Sequence, residues 1–214
     1  YHGGIYRDVW MIGKSSVAIT DALEADKVAG GGVFVHFDNI SGKKAEVYVD
    51  TEVHNSGKRT RTVAVETVLA DAGDVPVKRI SQQVKLQAGE SKTVRQQFAV
   101  RNPKLWSPDS PYLYRIQSRV KAGHEVLDGG VTRVGIRKAE FKGKDGFWLN
   151  GKPFGQLVGA NRHQDFAYVG NALPNSQQWR DAKRLRDAGC TIIRVAHYPQ
   201  DPAFMDACDE MGLF

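Results

Sequence analysis

Period-two alternation of apolar and polar residues, sustained from about Ser15 to Arg137, is the feature that most constrains the fold of this chain. Such alternation predicts half-buried β-strands. Turn sequences such as Asn55-Ser56-Gly57 separate the runs, and no helical pattern interrupts them. The predicted strands lie at about residues 33–37, 47–53, 63–67, 80–86, 94–100, 112–118 and 131–136. Roughly seven short strands in a little over 100 residues predict an immunoglobulin-like β-sandwich without a disulfide.

After Pro153 the pattern changes to alternating strands and helices. Strands are predicted at residues 154–159, at 191–196 and from 213 onward, and helices at 174–188 and 202–211. Asn175 or Ser176 is the expected N-cap of the first helix, and Asp201 that of the second. Alternation of this kind, with short connections, indicates a parallel sheet.

This second region contains two strand–helix units and the opening of a third, whereas a TIM barrel has eight. It is either a minimal α/β layer or the beginning of a larger barrel, and an apolar strand at residue 214 favours the barrel. The predicted fold class is therefore mixed: an immunoglobulin-like β-sandwich followed by the first βα units of a TIM (β/α)8 barrel. Incomplete sheet edges predict that residues 154–214 self-associate or are poorly ordered.

Charge is distributed unevenly along the chain. The net charge is +6, yet residues 151–214 contain seven basic and seven acidic residues, so the excess lies in residues 1–150. The basic residues are scattered through strand patterns and are not interleaved with aromatics, which predicts a solvated basic surface and argues against nucleic-acid binding. No apolar run approaches the length that spans a bilayer, so no membrane association is expected.

Several common kinds of chemical site are missing from the sequence. Cys190 and Cys208 do not form a CxxC pair, so a zinc site is not expected and both thiols are predicted to be small buried hydrophobes. No Gly-x-Ser-x-Gly motif provides a serine nucleophile. A phosphate-binding loop at Gly13 fails because Asp8 stands where a glycine is required.

Two polar clusters follow the predicted parallel strands. Residues 161–165 follow the first strand, while Arg194, interpreted as a buried cation, and His197-Tyr198 lie on the second and at its end. Ligands bind where parallel strands end, and converging donors and acceptors suit the hydroxyl groups of a sugar. The alternative is that Asn161 and Asp165 only cap a loop and that His197 is a hydrogen-bonded core residue.

At these residues the sequence resembles glycoside hydrolase family 2, which contains β-galactosidases, β-glucuronidases and β-mannosidases. The resemblance covers nearly the whole chain, and its motifs lie at residues 4–10, 148–153, 159–165, 194–199 and 208–214. The Asn161-Arg162-His163-Gln164 sequence is most similar to the β-galactosidase branch. The chain departs from the family at Thr191, where asparagine is usual, and at Val195, where a small polar residue is usual.

The resemblance implies a division of the chain into three parts. Residues 1–12 would be the tail of an N-terminal sugar-binding jelly roll, 13–140 the immunoglobulin-like sandwich, and 141–214 the truncated start of the TIM-barrel catalytic domain. The substrate-binding residues it implies are Asn161, His163, Asp165 and His197, and Arg194 would orient the nucleophilic carboxylate.

The family chemistry is retaining hydrolysis by two glutamates on later barrel strands, so the resemblance places no catalytic residue in this chain. No cofactor is evident, and any divalent cation of the parent protein would be bound by residues outside the chain. We expect the parent to hydrolyse terminal β-galactosides, and this chain alone to be inactive.

The alternatives to a β-galactosidase are a β-glucuronidase and a non-enzymatic immunoglobulin-like interaction or carbohydrate-binding module. The expected partner is a β-linked saccharide. A soluble protein of the bacterial cytoplasm or periplasm is expected, with the compartment left open.

Overall fold

The computed structural model describes residues 4–214, which form two compact units. The sandwich unit consists of Ile12–Lys104 and Leu113–Ile136. The barrel-start unit consists of residues 4–11, Leu105–Tyr112 and Arg137–Phe214. Residues 1–3 of the predicted jelly-roll tail lie outside the described residues. Leu105–Tyr112, which the predicted boundaries assign to the sandwich, groups with the barrel-start unit.

The sandwich unit is built from two antiparallel sheets. In the first, β3 pairs with β1, β2 and β6, and the order of the second is β5-β4-β7-β8. The strands are β1 (Val17–Ile19), β2 (Val33–Asp38), β3 (Lys44–Asn55), β4 (Arg61–Ala70), β5 (Pro76–Leu86), β6 (Ser91–Arg101), β7 (Tyr114–Ala122) and β8 (Glu125–Val134). Because successive side chains point to opposite faces of a strand, the period-two pattern buries every second residue, as in β6.

The inner faces of the two sheets share one apolar core. Strands of both sheets contribute to it, and its buried members are Val17, Ile19, Val53, Val63, Val65, Leu86, Val94 and Val120. β-branched valines predominate because their stiff side chains pack well on a pleated surface.

Two elements near the start of the sandwich unit were not predicted. Strand β1 is too short to show a period, and a one-turn helix, α1 (Ala22–Ala25), contradicts the expectation that no helix interrupts the series. The Asp21 carboxylate caps α1 by accepting hydrogen bonds from the N–H groups of Leu23 and Glu24, which lowers the pKa of Asp21.

The barrel-start unit contains a small antiparallel sheet and a parallel strand pair with helices. The antiparallel strands are β9 (Ala139–Phe141), β10 (Phe147–Leu149) and β11 (Lys152–Gly155), and the parallel strands are β12 (Gly159–Arg162) and β13 (Ile192–Val195). Helix α2 (Asn175–Asp187) connects the parallel strands, and α3 (Pro202–Met211) follows them. Phe214 then pairs with β13, since its N–H donates to Thr191 O and its carbonyl accepts from Ile193 N, both at 2.9 Å.

The first parallel strand begins later than predicted. Residues 154–155 belong to the β10–β11 hairpin, where the Phe154 and Phe147 rings lie 5.6 Å apart. The parallel strand begins at Gly159, where a Cβ atom would lie 1.8 Å from the carbonyl oxygen of Ile192. Only glycine permits this close approach of the two strands. Asn161 therefore lies within β12, not in the loop after it.

The helices of the barrel-start unit cover one face of the parallel strands. The buried residues of this core are Ala182, Ile193, Phe204, Ala207, Cys208 and Leu213. Asp201 caps α3 as predicted, accepting from Ala203 N at 2.9 Å. Two details were wrong. The N-cap position of α2 is Pro174, without a side-chain cap, and Met205, predicted on the buried face of α3, is 48% exposed because Ala207 occupies that face.

Helix α3 ends against the Leu105–Tyr112 loop. Trp106 is fully buried and donates its indole N–H to Asp209 O at 2.8 Å. Gly212 ends the helix with φ +74°, and a Cβ atom there would lie 2.1 Å from the Pro108 carbonyl oxygen. The Arg137 guanidinium lies 4.3 Å from the Trp106 ring, and burial lowers the pKa of Arg137. This loop is therefore part of the packing of the barrel-start unit.

Candidate sugar site at the strand ends

The parallel strands bring the two predicted polar clusters to the same edge of the sheet. In the register of β12 and β13, Asn161 lies beside Arg194 and Arg162 beside Val195. The chain continues from β12 into His163 and from β13 through a cis Ala196–His197 peptide into Tyr198. Because parallel strands end at one edge, residues that are far apart in sequence become neighbours there.

His163 and His197 form the centre of this edge. Their ring centroids are 5.3 Å apart with the planes at 78°, and the His163 and Tyr198 rings lie 6.1 Å apart. Both imidazoles are exposed, while the Tyr198 hydroxyl accepts a hydrogen bond from Gln164 N at 3.3 Å. The prediction that these histidines share a surface agrees with this geometry, whereas the alternative of His197 as a buried core residue does not.

Arg194 is exposed, contrary to its interpretation as a buried cation. Side chains alternate along β13, and Ile193 faces the helices, so Arg194 projects from the opposite face. On that face its Nη1 lies 3.5 Å from Asn161 Oδ1. Asp165 is also exposed, and within residues 4–214 no hydrogen bond or ion pair connects it to the other four predicted residues.

The buried cation of this site is Arg162, which sequence reasoning did not select. Its guanidinium donates to Gln200 Oε1 at 2.6 Å, to Gln178 Oε1 at 2.7 Å and to Asp181 Oδ2 at 2.7 Å. It also lies 3.9 Å from the centre of the Phe204 ring. Arg162 thereby connects the end of β12 to both helices and to the loop after β13.

Gln164 forms a second buried connection. It is 1% exposed, and its Oε1 accepts from Asp201 N at 3.1 Å and from an Arg7 guanidinium N–H at 3.5 Å. Arg7 also donates to the carbonyl of Pro199. The segment around Arg7 thus contacts both loops that carry the histidines.

A period-two reading of the corrected strand could have identified Arg162. With β12 spanning Gly159–Arg162, Arg162 has the same parity as Ala160, whose register partner Ile193 belongs to the core beneath the helices, while Asn161 and His163 have the other parity. The misplaced strand start concealed this alternation. No sequence signal distinguishes the three buried glutamines, Gln164, Gln178 and Gln200, from ordinary surface residues, since glutamine is mostly exposed in proteins.

Neither a metal site nor a reactive thiol is found near the described strand ends. Among residues 4–214 no group of three or more His, Cys, Asp or Glu side chains has the geometry to bind a metal ion. Cys190 and Cys208 are both free thiols. Cys208 is buried, which raises the pKa of its thiol to about 12, whereas Cys190 is only half-buried, contrary to the prediction.

Comparisons with known protein families match both units. A family model described as Glycosyl hydrolases family 2 matches residues 32–137, and the model of that family's TIM barrel domain matches residues 140–214. These matches confirm the predicted family resemblance and the predicted fold class, an immunoglobulin-like sandwich followed by the start of a TIM barrel.

Individual relatives are similar over almost the whole chain. A β-galactosidase of Thermoanaerobacter pseudethanolicus is 34% identical over 99% of this chain and 26% of its own length. The crystal structure of Bacteroides uniformis β-glucuronidase has a TM-score of 0.90 and 30% identity, covering 99% of this chain and 25% of its own. A structure of B. uniformis β-glucuronidase 2 covalently bound to cyclophellitol-6-carboxylate aziridine has a TM-score of 0.89 and 30% identity, and it covers 99% of this chain and 25% of its own. The chain thus spans about a quarter of these relatives' length.

Proposed function

Because the chain belongs to glycosyl hydrolase family 2, we propose that it is part of a retaining β-glycosidase that hydrolyses terminal β-galactosides. The observation that carries this proposal is the pair of exposed imidazoles, His163 and His197, at the ends of adjacent parallel strands. Their N–H groups and lone pairs suit directed hydrogen bonds to sugar hydroxyls. The relative named β-galactosidase supports the choice of sugar.

In this proposal the described residues bind and orient the sugar. His163 and His197 contact its hydroxyl groups, and Asn161 and Asp165 form the adjoining rim. Arg194 orients the nucleophilic carboxylate from the exposed face of β13. Hydrolysis with retention requires one carboxyl group to protonate the leaving oxygen and another to attack the anomeric carbon. The two carboxyl groups lie about 5–5.5 Å apart.

We propose that the two catalytic glutamates lie outside this chain, which spans about a quarter of its relatives. The same holds for any divalent cation that the whole protein binds, and no cofactor is assigned to residues 4–214. On this basis the isolated chain lacks hydrolytic activity. Purified 214-residue chain that releases nitrophenol from nitrophenyl β-galactoside, after removal of contaminating enzymes, would contradict the assignment of the glutamates.

A β-glucuronidase is the second candidate. The structural neighbour with a TM-score of 0.90 is named a β-glucuronidase, and a second such structure holds an inhibitor with a carboxylate. A glucuronide carboxylate would need a cationic partner, which Arg194 or residues outside the chain would provide.

No helix of the described chain combines the length and apolarity of a membrane span.

The test uses the full-length protein that contains this chain, assayed with nitrophenyl β-galactoside and nitrophenyl β-glucuronide. The proposal predicts higher kcat/KM for the galactoside, and the reverse order would favour the second candidate. Replacing His163 or His197 by alanine should lower kcat/KM about 100-fold, the typical size of a lost transition-state contact of this kind.

The matched control is His124→Ala, because His124 is equally exposed but lies in the turn between β7 and β8. This variant should retain wild-type kcat/KM. Since all three histidines are exposed, none of the substitutions should change thermal stability appreciably. If the full-length protein hydrolysed neither nitrophenyl β-galactoside nor nitrophenyl β-glucuronide, the proposed function would be refuted.

A further inference from the structure

One face of the sandwich unit gathers most of the chain's excess positive charge. On the outer face of the β5-β4-β7-β8 sheet, directly paired residues share a side, and the register places six cations there. Glu66 is the only acidic residue of these four strands on that side. The strand residues of the face thus carry an excess of five positive charges, compared with +6 for the whole chain. One of the cations, Arg115, is also paired with Asp74 of the β4–β5 turn at 3.0 Å. Its cations are Arg79, Lys85, Arg115, Arg119, Lys121 and Arg133.

A buried carboxylate holds the centre of this basic face in place. Glu66 has a side chain 9% exposed, and three cations surround it: Arg79 at 3.6 Å, Arg119 at 3.7 Å and Lys121 at 3.8 Å. One carboxylate balances only one of the three charges. The side chains of Arg79 and Arg119 remain 57% and 43% exposed, so they can contact a further anion while Glu66 fixes their positions.

The shape of the basic face suits an extended ligand. The cations span four strands, about 14 Å at the usual strand spacing of about 4.8 Å. They stand on the open outer face of a sheet, whereas a small molecule requires a concave pocket. A polymer with repeated negative charges matches a flat row of cations and gains free energy by releasing its condensed counterions.

The composition of the face argues for an acidic polysaccharide over a nucleic acid. Its remaining strand residues, all within the described chain, are small, aliphatic, proline, hydroxyl or amide residues, and none is aromatic: Thr62, Ala64, Val68, Ala70, Pro76, Ser81, Gln83, Gln117, Val126, Gly129 and Val131. Single strands of nucleic acid are bound by stacking on aromatic rings, and the face of a four-stranded sheet, about 14 Å across, is too wide for a duplex groove of about 12 Å. Hydroxyl and amide groups suit the hydroxyls of a sugar chain.

We propose that this basic face binds a polysaccharide that carries carboxylate or sulfate groups. A polymeric substrate would thereby stay bound to the protein between rounds of hydrolysis. The choice of a polysaccharide rests on the proposed glycosidase function, whereas the preference for a polyanion rests on the charges alone. Binding requires no hydrolysis, so it is measured independently of activity.

The test measures binding of the 214-residue chain to four polymers by calorimetry at low salt. Polygalacturonate carries carboxylates, a sulfated galactan carries sulfates, neutral galactan lacks charge, and duplex DNA carries phosphates. We expect binding to one or both acidic polysaccharides and none to neutral galactan. The acidic polymer that binds more tightly identifies the favoured anionic group.

Two double variants with the same change of charge locate the binding surface. Replacing Arg119 and Lys121 by glutamine should weaken binding about tenfold and reduce the salt slope by about two. Replacing Arg95 and Arg101 by glutamine removes two exposed cations from β6 in the other sheet and should change binding less than twofold. Glu66→Gln should strengthen binding, because it removes the only carboxylate among the face's strand residues.

Three results would overturn the proposal. The first is no binding of either acidic polysaccharide at about 20 mM salt. The second is an equal loss in both double variants, which would show a response to net charge alone. The third is duplex DNA bound as tightly as the acidic polysaccharides, with the same response to the variants. If the full-length protein lacked glycosidase activity, the proposed function would fail while these binding results would still decide the role of the face.

Discussion

Replacing Arg162 by methionine tests whether the buried guanidinium holds the strand-end site together. Methionine keeps much of the side-chain volume but removes three charge-assisted hydrogen bonds, to Gln178, Asp181 and Gln200. Each such bond contributes about 1.5–3 kcal/mol, and the contact of the cation with the Phe204 ring adds about 0.5–2 kcal/mol.

The net cost is smaller than this gross sum, because methionine avoids the desolvation penalty of the guanidinium. Removing one partner of a buried ion pair costs about 3–5 kcal/mol. Asp181 is 24% exposed and is hydrated in part once Arg162 is gone, so the lower end, about 3 kcal/mol, is expected. For a unit of this size, with a urea m-value of about 1.5 kcal/mol/M, the midpoint should fall by about 2 M.

Tryptophan fluorescence isolates this effect. All four tryptophans, at positions 10, 106, 148 and 179, lie in the barrel-start unit, so their emission reports the unfolding of that unit alone. Far-UV circular dichroism reports both units. Arg162→Met should therefore shift the fluorescence transition and leave the part of the dichroism transition that arises from the sandwich unchanged.

Two further variants make the test decisive. Arg162→Lys keeps the charge but not the planar fork, and should lose about half as much stability. Arg184→Met is the matched control, since Arg184 is exposed on α2, the helix that carries Gln178 and Asp181, and should cost less than about 0.5 kcal/mol. A loss in Arg162→Met below about 1 kcal/mol, or equal to that in Arg184→Met, would refute the reasoning.

Three other expected outcomes follow from single residues. Gly212→Ala should destabilise the barrel-start unit by about 2 kcal/mol or more, because alanine is strained at φ +74° and its Cβ would overlap the Pro108 carbonyl. Hydrogen bonding to Lys27 lowers the pKa of Glu52, so its contribution to stability is present above pH about 4.5 and is lost as the pH falls. Cys208, with a thiol pKa of about 12, should react with a disulfide reagent at neutral pH far more slowly than Cys190.

Each of these outcomes has its own measurement and control. For Gly212, urea unfolding followed by tryptophan fluorescence should show the loss. The control is Gly146→Ala in the same unit, where φ is also +74° but the space around a Cβ atom is open, and it should show a clearly smaller loss; equal losses would contradict the steric argument. For Glu52, the free energy of unfolding of wild type and Glu52→Gln should converge between pH 7 and pH 3, and a constant gap would be inconsistent with the lowered pKa. For the thiols, the time course of the reaction with the disulfide reagent should show one fast and one slow phase. If Cys190 and Cys208 reacted together in a single fast phase, the prediction would be wrong.

The sequence predicted the sandwich well because a two-residue period is a local property. In β6 and β7 the alternating run turns every second side chain toward the core, so burial follows directly from spacing. The predictions failed where the signal was too short, as in the three residues of β1 and the single turn of α1. Residues 154–159 were assigned to one strand, although this segment contains the end of a hairpin and the start of a parallel strand.

The candidate site was predicted in part. The motif residues His163 and His197 lie side by side as expected, because two parallel strands in register end at one edge. The roles of the arginines differed from the prediction. Arg194 was interpreted as buried from its apolar neighbours in sequence, but alternation along β13 turns it to the exposed side, while Arg162 enters the polar network beneath the strands.

What the sequence determined by itself were periods, caps and motifs: the strands of the sandwich, the Asp201 cap, the Gly212 stop and the family resemblance. What only the tertiary structure decided was which residues distant in sequence share a surface. Cations scattered over β5, β7 and β8 gather on one face around Glu66, and Arg162 meets partners from α2 and the loop after β13. The physical reason is that spacing fixes the side of an element on which a residue lies, whereas strand register and helix packing determine what it faces.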